Sequence, residues 1–197
     1  MKTLSIAPGL VIMKPIVKYA CFMALLFTGC KLDREKAIDR ARFSFKITAD
    51  SYLFFKNVRQ IYYDFNDLKE AGWHAYRLSN RYKGNDVPVL NPTLVVDWRK
   101  DEAYVLIETN AVLADLPALV MFEQDSVSGI TYSYTLAERG KENMLEFATK
   151  IYEGIMADNK FTIAVNGVNI PIFQGEEARE NFRVAMADYY RLTRIIR

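Results

Sequence analysis

Few side chains in this sequence could do acid–base or nucleophilic chemistry, and most of them stand alone. His74 is the only histidine. It lies between Trp73 and Ala75 with no motif around it, which fits a hydrogen-bonded structural residue better than a general acid or base. Ser126-Val127-Ser128-Gly129 reads as a turn; the chain has no Gly-x-Ser-x-Gly, and no Ser-x-x-Lys follows residue 30. Asp97 with Glu102, and Glu176 with Glu177, are carboxylate pairs of the kind that glycoside hydrolysis uses, a chemistry that needs the two groups at a set separation across a cleft. Hairpin tips and a helix start account for the same four residues without catalysis. There is no phosphate-cradling Gly-rich loop and no dinucleotide fingerprint.

The densest unusual feature is aromatic. Eleven rings, from Phe43 to Tyr82, are interleaved with Lys56, Arg59, Arg77 and Arg81. Rings carry much of any core, and Tyr and Trp beside Arg are also what binding surfaces favour. Both readings stand at this point. If the segment binds a protein or glycan partner, the residues that would do it are Arg59, Tyr62, Tyr63, Trp73, Tyr76, Arg77, Arg81 and Tyr82.

Lys14 and Lys18 precede the apolar run 19–27, and the small residues Thr28 and Gly29 follow it. Positive end, short apolar middle and small residues make the layout of a secretory signal. The run is well short of the ~20 residues that a membrane-spanning helix needs, and charges resume at Lys31. Phe27-Thr28-Gly29-Cys30 resembles the lipobox of bacterial lipoproteins, with Phe27 at the place where that family most often has Leu. The resemblance covers the first 30 residues. It implies that Cys30 receives a diacylglycerol, that the chain is cut just before it, and that several acyl chains then hold the domain to a membrane outside the cytoplasm. One chain alone would bind only marginally. Met13 opens a compact signal, Met-Lys-Pro-Ile-Val-Lys, so translation is expected to start there. The expected organisation is a signal over 1–29, a lipidated Cys and charged tether over 30–41, and one domain over 42–197.

Processing changes the charge. Lys2, Lys14 and Lys18 are the only charged side chains of the first 29 residues, so the 26 basic groups fall to 23 against 24 acidic ones, a formal charge of −1. Phosphate binding rests on surplus Lys and Arg, so a nucleic-acid role has no electrostatic support. On the lipoprotein resemblance, Cys21 leaves with the signal and Cys30 is taken up by lipid, and these are the only two cysteines. The mature domain thus has no thiol for a disulfide, and a zinc site of the Cys/His kind is excluded. No cofactor is implied. A composition that is 51% hydrophobic allows stability to come from the core alone.

Residues 42–48 alternate Phe43, Phe45 and Ile47 with polar residues, the period of a half-buried strand. Residues 52–68 fit helical spacing, with Asp50 or Ser51 as cap, yet are rich in strand formers; residue type favours a strand paired with 73–82. Residues 84–88 and Asn91-Pro92 read as loop. Hairpins are expected at 94–98 with 103–109, at 118–123 with 130–136, and at 161–165 with 168–172. The last turns on Asn166-Gly167, where both residues must take positive φ, and Pro171 puts its strand at a sheet edge. Amphipathic helices are expected at 141–157 and 176–196. The sum is an α+β fold, with mostly antiparallel strands first and two helices late. Its function is expected to be that of an envelope binding or assembly module; the alternative is a glycan-directed hydrolase using paired carboxylates. Replacing Cys30→Ser should abolish incorporation of labelled fatty acid and leave the signal uncleaved, and labelling equal to that of the native chain would rule out the anchor.

Overall fold

The computed structural model describes residues 38–196, so the signal, Cys30 and residues 31–37 of the expected tether lie outside the described residues. Ile38 is already buried in the main core. Arg40 holds the next turn to helix α3 (Lys141–Met156) through Glu153 at 2.7 Å and Glu146 at 3.2 Å. Packing therefore begins ahead of the expected boundary at 42. The strand expected at 42–48 shrinks to a single bridge, Lys46 to Glu102, flanked by bonds from Ala103 N to Phe45 O (2.7 Å) and from Ile47 N to Asp101 O (2.9 Å).

Pairing stops there because Thr48 caps a helix. Its Oγ1 accepts from Ser51 N, and Ser51 Oγ accepts from Thr48 N, which satisfies two amides that a helix start otherwise leaves bare. Helix α1 (Ala49–Phe54) follows, widens into a π turn over Phe55–Arg59, and closes with a 3₁₀ turn over Gln60–Tyr62. The strand reading of 52–68 is thus corrected for its first part. Local capping and burial of Phe55 outweigh a β preference that is weak outside a sheet. Only Tyr63–Leu68 is extended, as β1.

β1 pairs with β2 (Trp73–Leu78), β2 with β3 (Leu90–Asp97) and β3 with β4 (Glu102–Thr109), all antiparallel. Asn91-Pro92, expected in a loop, lies in β3. Pro92 lies opposite Ile107 of the edge strand β4, one residue beyond the end of the β2–β3 ladder at Thr93, a marginal position of the kind where proline is found in sheets. After the short helix α2 (Ala111–Ala114) comes a second antiparallel sheet in the order β6-β5-β7-β8. It is built from β5 (Leu119–Gln124), β6 (Thr131–Leu136), β7 (Lys160–Val165) and β8 (Val168–Ile172). Asn166 and Gly167 both take positive φ at the β7–β8 turn, and β8, with Pro171, is an edge strand. The fold class is α+β.

The two late helices join the sheets. Helix α3 packs on β4 of the first sheet and on β6 of the second; helix α4 (Glu176–Leu192) packs on β3, β4 and α3. Tyr152 meets Tyr190 edge to face at 5.2 Å. Between the helices, Tyr190 Oη donates to Thr149 Oγ1 (2.9 Å), which itself donates to Leu145 O (2.7 Å). Helix α4 stops four residues before the expected end, because Arg194 turns left-handed (φ 58°). That reversal returns Ile195 to the core, its amide bonded to Tyr190 O at 2.9 Å.

Helix α1 lies along α4 and is tied to it twice. Ser51 Oγ donates to Leu192 O at 2.7 Å. Arg59 Nε lies 2.9 Å from both oxygens of Asp188, a carboxylate only 1% exposed, which also accepts from Tyr63 Oη at 2.8 Å. Taking Arg59 away strips this buried charge of its main cationic partner, leaving Arg191 at 3.4 Å and the Tyr63 hydroxyl. Arg59→Met should therefore cost about 3–5 kcal/mol in urea unfolding, where a surface pair would cost at most about 1 kcal/mol.

Candidate functional site

The eight residues of the expected binding face do not share a surface. Strand register separates them, because successive side chains point to opposite sides of a sheet. Trp73 and Arg77 lie on the outer side of β2. There Trp73 Nε1 donates to Asp97 at 3.4 Å and Arg77 grips Glu108. Tyr76 lies on the inner side and is fully buried. Tyr63 is also buried and is bonded to Asp188. Tyr63 and Tyr76 are thus core residues, out of reach of any partner. Arg59 is committed to Asp188, but its guanidinium also sits 4.8 Å over the ring of Tyr62, which is 55% exposed. Arg81 is bound to Asp64 (2.5 Å) and to Leu78 O (2.9 Å).

Arg81 and Tyr82 do come together, on the wall of a cleft of about 530 Å³ between residues 79–91 and 171–181. Val87, Pro88, Ile172 and Phe173 supply its apolar lining, and Lys83, Gln174 and Glu177 its polar groups. The loop that carries Tyr82 is held from several sides. Asn110 Nδ2 donates to Gly84 O (3.0 Å) and Val87 O (2.7 Å), Asn91 Nδ2 donates to Tyr82 O (2.9 Å), and Tyr82 Oη donates to Asp86. Gly84 matters here for space: a Cβ at that position would collide with the Tyr82 phenol. On the opposite wall Phe173 takes φ 57°, a left-handed conformation that costs a non-glycine residue roughly 1–2 kcal/mol. Its ring is held edge-on between Phe161 (5.7 Å) and Phe182 (5.2 Å). The part of the cleft contributed by Phe173 and Asn181 was not legible in the sequence, since these residues lie about a hundred positions from Tyr82.

The carboxylate pairs are occupied elsewhere. Asp97 and Glu102 face each other in the β3–β4 register. Asp97 is buried and takes bonds from Trp73 and from Arg99 N (3.1 Å). Glu102 accepts from Tyr104 Oη at 2.5 Å and pairs with Lys46 (3.2 Å) and Lys141 (3.6 Å). The Tyr104 bond first, and then the two lysines, hold its acidity at about 2, so it carries no proton to donate near neutral pH. Glu176 and Glu177 are exposed at the start of α4, and Glu177 is the one carboxylate among the residues lining the cleft.

His74 belongs to a small polar chain that sequence reading did not assemble. Tyr52 Oη lies 2.7 Å from His74 Nδ1 and 3.0 Å from Tyr76 Oη, and Asp67 Oδ1 lies 3.7 Å from His74 Nε2. Burial pushes the pKa of both phenols up, so they stay protonated as donors. With Phe65 edge-on to the imidazole at 5.3 Å, the group reads as a satisfied polar seam between α1 and the first sheet. Among the described residues no three His, Cys, Asp or Glu side chains gather to hold a metal ion.

Glu102 sets a pH dependence. Its folded value lies below the ordinary 4.5, so its stabilisation is complete above that pH and is lost as pH falls toward 2. Glu102→Gln should be less stable than the native chain at pH 7, and the gap in urea midpoint should close by about pH 2. A gap unchanged across that range would overturn the assignment. Comparison with family models, with curated proteins and with solved structures returned no match to this chain.

Proposed function

We propose that this chain is a bacterial envelope lipoprotein, held to a membrane through Cys30, that works as a binding or assembly module for a protein or glycan partner. The observation that carries the binding role is the cleft between residues 79–91 and 171–181. It is apolar on its walls, polar at a few points, and bordered by a loop that is already hydrogen-bonded into place, which is the usual make-up of a ligand site. Tyr82 offers a half-exposed ring beside Lys83, suited to stacking on a sugar or a peptide side chain. The strained backbone of Phe173 supports the same reading, since strain held in place by packing gathers at binding sites. Glycan hydrolysis is the weaker reading, because the cleft is lined by one carboxylate where the reaction needs two.

The lipidated protein, purified from its own membranes, should retain an envelope protein or a cell-wall glycan fragment. Tyr82→Ala should weaken that binding by on the order of 1–4 kcal/mol while leaving the thermal midpoint almost unchanged. Equal binding by the variant would remove the cleft as the site. Glycan turnover that disappears in Glu177→Gln would favour the hydrolase.

A further inference from the structure

Seven of the fourteen exposed large apolar side chains among the described residues lie between 53 and 68. Five of them, Leu53, Phe54, Val58, Ile61 and Tyr62, are on the solvent side of the α1–3₁₀ segment, with Ile61 82% exposed. This inverts the ordinary amphipathic arrangement. The segment spends Phe55 and Arg59 on the core and on Asp188, and turns its apolar residues outward. Two ties to α4 hold it rigidly in that orientation.

We infer that this helical face docks into the surface of the lipid bilayer that carries the anchor; the inference rests on the reading of Cys30 as lipidated. Cys30 is eight residues before Ile38, a span of at most about 28 Å, so the bilayer is never far from the domain. Residue 42 and the start of the helix share a neighbour at the end of α4. Arg42 donates to Arg194 O at 3.2 Å, and Asp50, at the start of α1, pairs with Arg194 at 3.8 Å.

The chemistry fits the membrane interface. From Ser51 to Tyr63 the chain has no carboxylate, and Lys56 stands exposed on it. Aliphatic side chains would enter the acyl boundary and the Tyr62 phenol would stay at headgroup level. Lys56 would extend its ammonium toward phosphate along its apolar stem. A second weak attachment beside a lipid anchor changes orientation rather than the fact of binding. It would fix how the cleft is presented relative to the membrane.

Once Cys30 carries lipid, the processed chain has no other cysteine, so a single nitroxide can be placed at will. Ile61→Cys and, as control, Val168→Cys on the β7–β8 hairpin (62% exposed) are spin-labelled. The labelled proteins are reconstituted in liposomes of phosphatidylethanolamine and phosphatidylglycerol. The ratio of collisions with oxygen to collisions with a water-soluble nickel chelate should be several-fold higher at position 61 than at 168. Equal, water-like ratios would overturn the inference. So would dipolar broadening between labels at 61, which would mean that a second copy covers the face. Fatty-acid labelling of the same samples reads the anchor separately. Labelled protein with both nitroxides in water ends the docking and leaves the anchor standing. Unlabelled protein ends the anchor, and the collision ratio measured after adding that protein to liposomes from solution still decides the docking.

Discussion

A single buried carboxylate governs how this domain closes. Asp188 sits in the middle of α4 with almost no exposure, where an ionised group is tolerated only if its oxygens are occupied. Arg59, Tyr63 and Arg191 occupy them. Two of these residues come from the far end of the α1 segment and the first residue of β1, and meeting the need of Asp188 therefore fixes where that segment lies. The π turn over Phe55–Arg59 lets Phe55 reach the core and Arg59 reach Asp188 from one short piece of chain. Such widened turns are uncommon and persist where something holds them.

Two consequences follow for the surface. With Phe55 and Arg59 committed inward, the remaining apolar residues of the segment have no core left to enter, and they form an outward face. Over the first sheet, Arg77 with Glu108, Arg81 with Asp64, and Lys46 with Glu102 close the outer side with paired charges. Little free functional chemistry remains there. The cleft arises elsewhere, where the β2–β3 connection meets the turn between β8 and α4, and its walls are set by packing around Phe173 and by the hydrogen bonds of Asn110. The cleft is thus built from residues other than those of the apolar helical face.

The aromatic segment shows what a sequence can reveal about a site. Crowding of Tyr, Trp and Arg marked a segment whose rings the structure divides, Tyr63 and Tyr76 going to the core and Tyr62 and Tyr82 to the surface. It did not show which rings face which way. In β2 the order Trp73, His74, Ala75, Tyr76, Arg77 alternates sides, and only pairing with β1 and β3 decides which side becomes the core. The same uncertainty kept His74 looking isolated, although Tyr52 and Asp67 reach it from two other elements. Asp188 did leave a signal: an acid on the apolar stripe between Ala185 and Tyr189 requires a buried partner, though nothing nearby in sequence identifies it as Arg59.

By itself the sequence determined the features that rest on local physics. These are the hairpins with their alternating residues, the positive-φ turn at Asn166-Gly167, the edge position of Pro171, the two late helices and the α+β class. In each, the deciding interactions lie within a few residues of one another, so the pattern along the chain carries them. Tertiary structure alone decided the burial of Phe55 that tips 52–62 toward its helical alternative, the inclusion of Pro92 in β3, the commitment of Asp97 and Glu102 to ion pairs and hydrogen bonds, and the cleft that joins Tyr82 to Phe173. Each of these depends on groups brought together from distant positions. Whether a side chain there is buried, paired or exposed is a property of its neighbours in space, and no local pattern encodes it.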